Sequence, residues 1–382
     1  MRVPKGSESM IYLDYAASSP MEPEAIEELQ RCSSEQFANP SSLHRAAGSA
    51  RSVLHHSRSV LASLLDVPDH SICFCSGGTE ANNWALFCGS GSSADHIIVG
   101  ASEHPSVLKC ASVLQKRGVH VTFLKPDSSG MIRPSDLENA IQQNTRLISI
   151  QSANNETGVV QDLDALTGIA DDHGILFHCD AVQSFGHITL PLKKAGLISL
   201  SAHKLGGPRG IGCLVIRPDA LIPPLLFGGH QEFGLRPGTE NIAAISSFSV
   251  AALAACSRIP EESARILNLR KQLEHGIRKA VPGTVFHLAE RMLPGILNCS
   301  FPSLSGEEIQ MRLDLKGICV STGSACASEE TSPSHVLLAM GCDTDEASRA
   351  VRFSLGKNTT AQEIQETVEV LSKLYENRGM KS

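Results

Sequence analysis

Short apolar runs alternate along this chain with longer stretches whose apolar residues recur every three or four positions. Ile72-Cys73-Phe74-Cys75, His96-Ile97-Ile98-Val99-Gly100, Val119 to Leu124, Leu147-Ile148-Ser149-Ile150, Gly174-Ile175-Leu176-Phe177-His178, Leu197-Ile198-Ser199-Leu200 and Gly212-Cys213-Leu214-Val215-Ile216 are nearly continuous in apolar character. Runs of that kind read as strands covered on both faces. Between most of them lie helical stretches such as Ser106 to Lys116. A helix from about Ala46 to Leu65 carries Val53, Leu54, Val60, Leu61, Leu64 and Leu65 on one face. Strand and helix in alternation predict an α/β fold, with a mostly parallel seven-stranded sheet covered by helices.

The flanks read differently. Ile11 to Pro20 is a short strand running into a loop, followed by a helix with Pro23 near its start. Asn39-Pro40-Ser41-Ser42 is a turn cluster. Leu225 to Asn241 is rich in Gly and Pro and reads as an ordered loop. A long amphipathic helix from Ile242 to Ala255 and a second from Pro260 to Val281 come next. Short strands (Ile296 to Phe301) and helices (Glu307 to Lys316, Thr360 to Tyr375) fill the rest. This predicts a disordered leader over 1–9, a segment over 10–22 that joins a smaller domain, a large domain over 23–258, and a smaller α+β domain over 259–382.

Ligands of covered parallel sheets sit outside the carboxyl ends of the strands. Those ends carry Gly78-Thr79, His104, Asn155, Asp180 to Gln183, and Ser201-Ala202-His203-Lys204. Ser76-Gly77-Gly78-Thr79 follows a strand and opens a helix, a geometry that binds phosphate through free N–H groups and the helix dipole. It is also what an ordinary glycine turn with Thr79 as N-cap would look like. It is neither GxGxxG nor a Walker A loop, since the Gly-Lys-Ser/Thr ending is missing. Lys204 is a surface lysine at a strand end, or a desolvated amine able to form a Schiff base with an aldehyde. Asp180 caps the next helix or pairs with a ring nitrogen; His104 is a core histidine or stacks on a ring. Taken together the groups suit pyridoxal 5′-phosphate, whose aldehyde a lysine holds and whose pyridine nitrogen a carboxylate pairs. On that reading Gly78, Thr79, Ser201 and His203 hold the phosphate, and Gln183 donates to the phenolate oxygen. Cys326, among the small residues of Ser321 to Ser328, is an idle thiol or an exposed nucleophile.

Composition narrows the classes. The chain has 382 residues, 42% hydrophobic and 19% charged, enough for a sizeable core. A net charge of -7 argues against binding nucleic acid by charge. No apolar run spans a bilayer, and the first residues lack a signal peptide's apolar core. The twelve cysteines are scattered, with no CxxC and no zinc-type Cys/His spacing, which points to a reducing compartment and the cytoplasm.

The chain resembles the cysteine desulfurases of the NifS/IscS type, PLP-dependent enzymes of the class V aminotransferase group. The resemblance rests on Leu13-Asp14-Tyr15-Ala16-Ala17, Ser76 to Asn83, Ser102-Glu103-His104, Asn154 to Gly158, His178 to Gln183, Ser201 to Lys204, Arg236 to Asn241, Ser324-Ala325-Cys326 and Arg352 to Gly356, in that order over residues 10–378. It implies the PLP-dependent transferase fold type I, with the Cys326 loop on the small domain. It implies that Lys204 carries the cofactor and acts as acid and base, that His104 stacks and shuttles protons, and that Asp180 and Gln183 tune the ring. Thr79, Ser201 and His203 would bind phosphate, helped by Thr239 from the other chain of a homodimer. Asn155 is expected beside the cofactor and, with Arg352 and Ala16, at the substrate; Arg352 suits its carboxylate. Cys326 would take the sulfur of L-cysteine as a persulfide, release L-alanine, and pass the sulfur to an iron–sulfur scaffold or a tRNA-thiolation enzyme. With such a partner Cys326 could also serve as a cluster or sulfur-delivery ligand; no resident metal, membrane or direct nucleic-acid contact is expected. The usual Thr-Thr is Ser18-Ser19 here, a usual glycine is His230, and a usual arginine is Phe233. Arg236-Pro237-Gly238-Thr239 is also similar to selenocysteine lyases. A selenocysteine lyase, or an aminotransferase-like enzyme that leaves Cys326 unused, is therefore the alternative.

Overall fold

The structure is a computed structural model that describes residues 10–323 and 333–379, with side chains to residue 376. The first part of the chain runs β1 (Ile11–Tyr12), α1 (Pro23–Glu35), α2 (Arg45–Leu65), β2 (Ile72–Cys75), α3 (Gly78–Gly89), β3 (His96–Gly100), α4 (Pro105–Lys116), β4 (His120–Leu124), α5 (Pro134–Ala140), β5 (Thr145–Ser149), α6 (Leu163–Asp172), β6 (Leu176–Asp180), β7 (Leu197–Ser201), β8 (Gly212–Ile216) and α7 (Ile242–Ser257). It continues through α8 (Ile259–Ala280), β9 (Val285–Phe286), β10 (Ile296–Ser300), α9 (Gly306–Asp314), β11 (Ile318–Cys319), α10 (His335–Ala339), α11 (Thr344–Ser348), β12 (Ala350–Ser354) and α12 (Ala361–Gly379).

The strands read from apolar runs form one seven-stranded sheet in the order β2-β8-β7-β6-β5-β3-β4. Only β8 runs against its neighbours, pairing antiparallel with both β2 and β7. Apolar side chains bury both faces. Ile98, Ile148, Phe177 and Ile198 pack on one side, and Ile97, Val99, Leu147 and Leu197 on the other. Burying each such side chain stabilises the sheet by roughly 1.5–3 kcal/mol. A separate apolar cluster gathers Leu273, Leu297, Ile309, Phe353 and Leu371. Ile11 and Leu13 belong to it too, because β1 pairs parallel with β11. β12, β10 and β9 form a small antiparallel sheet in that order.

Three sequence expectations shift. The strand drawn as Gly174 to His178 runs from Leu176 to Asp180, so Asp180 ends a strand and caps no helix. His178 is tolerated inside it because Ser149 and Ser199 hydroxyls hold its two ring nitrogens at 2.8 and 2.9 Å. α3 starts at Gly78 with Gly77 as N-cap, which puts Thr79 inside the first turn instead of at the cap. α7 is not amphipathic: Ile242, Ile245, Phe248, Ala251 and Ala252 are buried, and so are Ser246, Ser247 and Ser249. It packs against α1 and α2, and Ser247 Oγ donates to the Ala25 carbonyl at 2.6 Å. Among the described residues, no single helix is long and apolar enough to cross a membrane.

Candidate active site

The carboxyl ends of the sheet strands open into a cavity of ≈ 460 Å³. Gly78 and Thr79 line it from the start of α3, and His104 from the start of α4. Asn155 lines it from the turn after β5, and Asp180 and Gln183 from the end of β6 and the turn beyond. Ser201, His203 and Lys204 complete it from the end of β7 and the short 3-10 turn after it.

The two ends of this cavity differ chemically. At one, the first turn of α3 presents backbone N–H groups without a side-chain cap. The turn is pressed onto the sheet. Gly77 has φ +148°, a Cβ on Gly78 would lie 2.7 Å from Val182 Cγ2, and a Cβ on Gly212 would lie 2.4 Å from the Leu200 carbonyl oxygen. Only glycines allow that approach. Ser201 and His203 stand beside the turn, with His203 Nδ1 3.3 Å from Ser18 Oγ. Burial, then the charges of Lys204 and Arg209, push His203 down to about 4, so its ring is neutral. At this end the helix dipole favours an anion.

At the other end sit the groups that handle a ring and an amine. Asp180 is buried; its Oδ2 accepts from Asn82 Nδ2 at 2.7 Å and its Oδ1 from the Val182 N–H at 3.0 Å. Asn82 Nδ2 also donates to Ser106 Oγ at 2.9 Å. The Ser106 hydroxyl can then donate to His104 Nδ1 at 2.8 Å, while the Ser106 N–H reaches the same nitrogen at 3.1 Å. Nδ1 is thus an acceptor, and the neutral His104 ring carries its proton on Nε2. Burial lowers the basicity of His104; Asp180 raises it, and Lys204 and His335 lower it further. Lys204 Nζ donates to the carbonyl oxygens of Ala16 at 2.6 Å and Ala17 at 3.1 Å. Gln183 Nε2 donates to the same Ala16 oxygen at 2.9 Å.

Other expected residues lie elsewhere. Ala16 does not line this cavity; it meets the site through its carbonyl, and its N–H donates to Ser354 Oγ at 2.9 Å. Arg352, on β12, also stays out of the lining. Its Nη2 pairs with Asp14 Oδ1 at 2.7 Å and its Nη1 donates to the Asn155 carbonyl at 2.9 Å. Thr239 lines a neighbouring cavity of ≈ 200 Å³, which shares Ser76 and Gly210 with the first. Cys326 lies outside the described residues. Just beyond that stretch, Ser334 Oγ donates to Glu156 Oε2 at 2.5 Å, and burial raises the Glu156 carboxyl above its usual range. The sequence reading gave no role to Asn82, Ser106, Asp14 or Arg209. Asn82 lies one helical turn after Gly78, on the face that looks along the strand ends, and that spacing was the available signal.

Pyridoxal phosphate fits these groups. The volume is in the range of small-molecule sites. A lysine amine, a buried carboxylate held by an amide, an imidazole and an uncapped helix start are the groups that would suit the cofactor's aldehyde, ring nitrogen, ring face and phosphate.

Comparison with known proteins points the same way. Residues 11–367 match the family Aminotransferase class-V. The chain is 39% identical over 373 residues to "Cysteine desulfurase IscS" of Dictyoglomus turgidum, covering 96% of this chain and 94% of that protein. It is 36% identical over 377 residues to "Putative cysteine desulfurase NifS" of Bacillus subtilis, covering 97% and 95%. The solved structure of a "NIFS-LIKE PROTEIN" superposes with a TM-score of 0.90 at 32% identity, covering 96% of this chain and 100% of that one. A match along nearly the whole chain, on a fold whose strand ends gather a lysine, a held carboxylate and a glycine-lined helix start, places this protein in the class-V aminotransferase family.

Proposed function

We propose that this member of the family is a PLP-dependent cysteine desulfurase. It converts L-cysteine to L-alanine and leaves the sulfur as a persulfide on Cys326. The observation that carries the reading is one cavity in which Lys204, Asp180, His104 and the start of α3 converge, in a chain so similar to proteins named cysteine desulfurase.

When bound, the cofactor supplies an aldehyde for amines and a ring that takes up electron density from the substrate's bonds. Lys204 Nζ is the amine for that aldehyde, and the Ala16 and Ala17 carbonyls orient it. Asp180 would hold the ring nitrogen, kept in place by Asn82 and the Val182 N–H. The first turn of α3, Thr79, Ser201 and His203 would hold the phosphate. His104, neutral with its proton on Nε2, donates from that atom and can take a proton on Nδ1 from the Ser106 hydroxyl as Nε2 gives one up, the balance a proton shuttle needs. Asn155 and Arg352 would bind the substrate carboxylate. That places Asp14, now on Arg352, in competition with the incoming anion. The Cys326 thiolate attacks the substrate sulfur. A sulfur–sulfur bond forms, the substrate Cβ–S bond breaks, and its electron pair stays with the carbon fragment, which takes up a proton and leaves as alanine.

We infer further that the active form is a homodimer. Support comes from the exposed apolar side chains of the loop that also carries Thr239: Phe227 is 91% and Phe233 54% exposed. Thr239 would then reach the phosphate of the other subunit. The large domain is assigned to residues 23–258, and the small domain to residues 10–22 with 259–382. The sulfur goes on to an acceptor protein, such as an iron–sulfur scaffold or a tRNA-thiolation enzyme, in the cytoplasm.

The test is to load the protein with the cofactor and compare it with Lys204→Ala, following visible absorbance and alanine formation from L-cysteine and L-selenocysteine. A visible band with alanine from cysteine, both lost in Lys204→Ala, is the expected result. Alanine from selenocysteine alone points to the lyase, and a colourless protein overturns the reading.

A further inference from the structure

A second cluster of reactive groups lies outside the cavity, where the turn between α10 and α11 meets the small antiparallel sheet. His287 follows β9, Cys342 sits in the turn, and Glu346 is on α11. The His287 Nδ1 atom is 4.0 Å from Cys342 Sγ and 3.8 Å from a Glu346 carboxylate oxygen, and the three groups lie within 4.8 Å of one another. The His287 side chain is only 5% exposed, and Glu346 27%.

The hydrogen bonds around His287 fix which nitrogen faces the cluster. Ser300 Oγ spends its one proton on the Glu346 backbone carbonyl at 2.8 Å. At 2.9 Å from His287 Nε2 it must therefore accept, so Nε2 carries the ring proton. The lone pair on Nδ1 is left aimed at the thiol and the carboxylate. Metal-binding histidines are held in this way, one nitrogen donating to an outer oxygen and the other bare for the ion.

We propose that His287, Cys342 and Glu346 form a zinc site on the small antiparallel sheet, separate from the cofactor cavity. Tetrahedral zinc with bonds of about 2.0–2.3 Å sets its ligand atoms about 3.4–3.6 Å apart. The two separations from His287 Nδ1 need only a few tenths of an ångström of closure, and the thiol and carboxylate, within 4.8 Å of each other, close the remainder by side-chain rotation. One thiolate, one imidazole and one carboxylate suit zinc; magnesium and calcium take oxygen ligands. The partly exposed face of Cys342 and Glu346 leaves the fourth position to water. On binding, the Cys342 thiol gives its proton to solvent and a zinc–sulfur bond forms, with no change of oxidation state. Without the ion, burial first, then Glu346 and Asp343, hold that thiol up at about 11, and burial keeps His287 neutral. With it, thiolate and carboxylate together cancel the charge of the cation. The site would tie the α10–α11 turn to β9 and β10.

The holoenzyme, incubated with zinc chloride and desalted, is assayed for metal content and by X-ray absorption at the zinc edge, beside variants. About one zinc per chain is expected, with one sulfur among nitrogen and oxygen neighbours, falling below about a tenth in Cys342→Ser and in His287→Gln. Cys326→Ser keeps its zinc. Ser300→Ala, which removes only the outer hydrogen bond, weakens binding about ten- to a hundredfold and decides the matter if a ligand variant fails to fold. Alanine production is unchanged in Cys342→Ser. Wild-type protein that emerges without zinc, a folded Cys342→Ser that keeps it, or loss of zinc in Cys326→Ser overturns the proposal.

Discussion

Asn82→Ala probes the way Asp180 is held. Asn82 is buried, and its amide donates to the Asp180 carboxylate at 2.7 Å and to Ser106 Oγ at 2.9 Å. Alanine removes both bonds and leaves Asp180 with the Val182 N–H alone among those described. A hydrogen bond to a charged partner contributes about 1.5–3 kcal/mol. At about 1.4 kcal/mol per decade, the loss amounts to about 10- to 150-fold. If the carboxylate serves resting enzyme and transition state equally, the loss appears in cofactor affinity. If it matters more as the ring takes up charge, kcat falls instead. The assay is a cofactor titration by visible absorbance, followed by alanine formation at saturating cofactor. Ser106→Ala is the comparison: it cuts the link to His104 but spares the bond to Asp180, so cofactor affinity stays near wild type. Affinity and kcat both within about twofold of wild type in a folded Asn82→Ala would refute the reasoning, since one charge-assisted bond is worth more than that.

Other outcomes follow from the packing. Arg58 and Glu232 form a buried pair at 2.7 Å, and Glu232 also accepts from the Phe74 N–H at 2.8 Å; Glu232→Ala should cost about 3–5 kcal/mol, read as a fall in the denaturant midpoint. A Cβ on Gly212 would lie 2.4 Å from the Leu200 oxygen and 2.7 Å from Gly77 Cα, so Gly212→Ala should cost about 1–3 kcal/mol and loosen the turn proposed to hold the phosphate, weakening cofactor retention on dialysis. His178 is pushed down to about 3 by burial, so the fold favours its neutral form. That stability is complete above about pH 6.5 and is lost as the pH falls toward the folded value. By pH 5 the loss is about 2 kcal/mol, and His178→Asn should flatten this part of the pH–stability curve.

The sheet was legible because its strands are buried on both faces and read as unbroken apolar runs. What escaped is where polar residues enter buried structure with partners. His178 and Asp180 hid the true end of β6, since polar residues there look like loop until Ser149, Ser199 and Asn82 are seen to satisfy them. α7 looked amphipathic because its serines read as a wet face, yet Ser247 is buried and bonded to the Ala25 carbonyl. Lys204, Asp180, Gln183 and His104 could be named from strand ends alone. Asp14 could not be linked with Arg352, because the pair spans nearly the whole chain. Nor could His287 be linked with Cys342 and Glu346, because it lies 55 residues before Cys342 and meets that pair only through folding. Cys326 owed its role to the resemblance, because small polar neighbours do not set a nucleophile apart from an idle thiol.

The most direct measurement compares wild-type protein and Cys326→Ala, both loaded with pyridoxal phosphate and given sulfur-labelled L-cysteine. The account predicts alanine from the wild type, with labelled sulfur released by thiol from a peptide containing Cys326. Cys326→Ala should keep the visible absorbance of the bound cofactor and make no alanine. Alanine formed by Cys326→Ala at the wild-type rate would contradict the account.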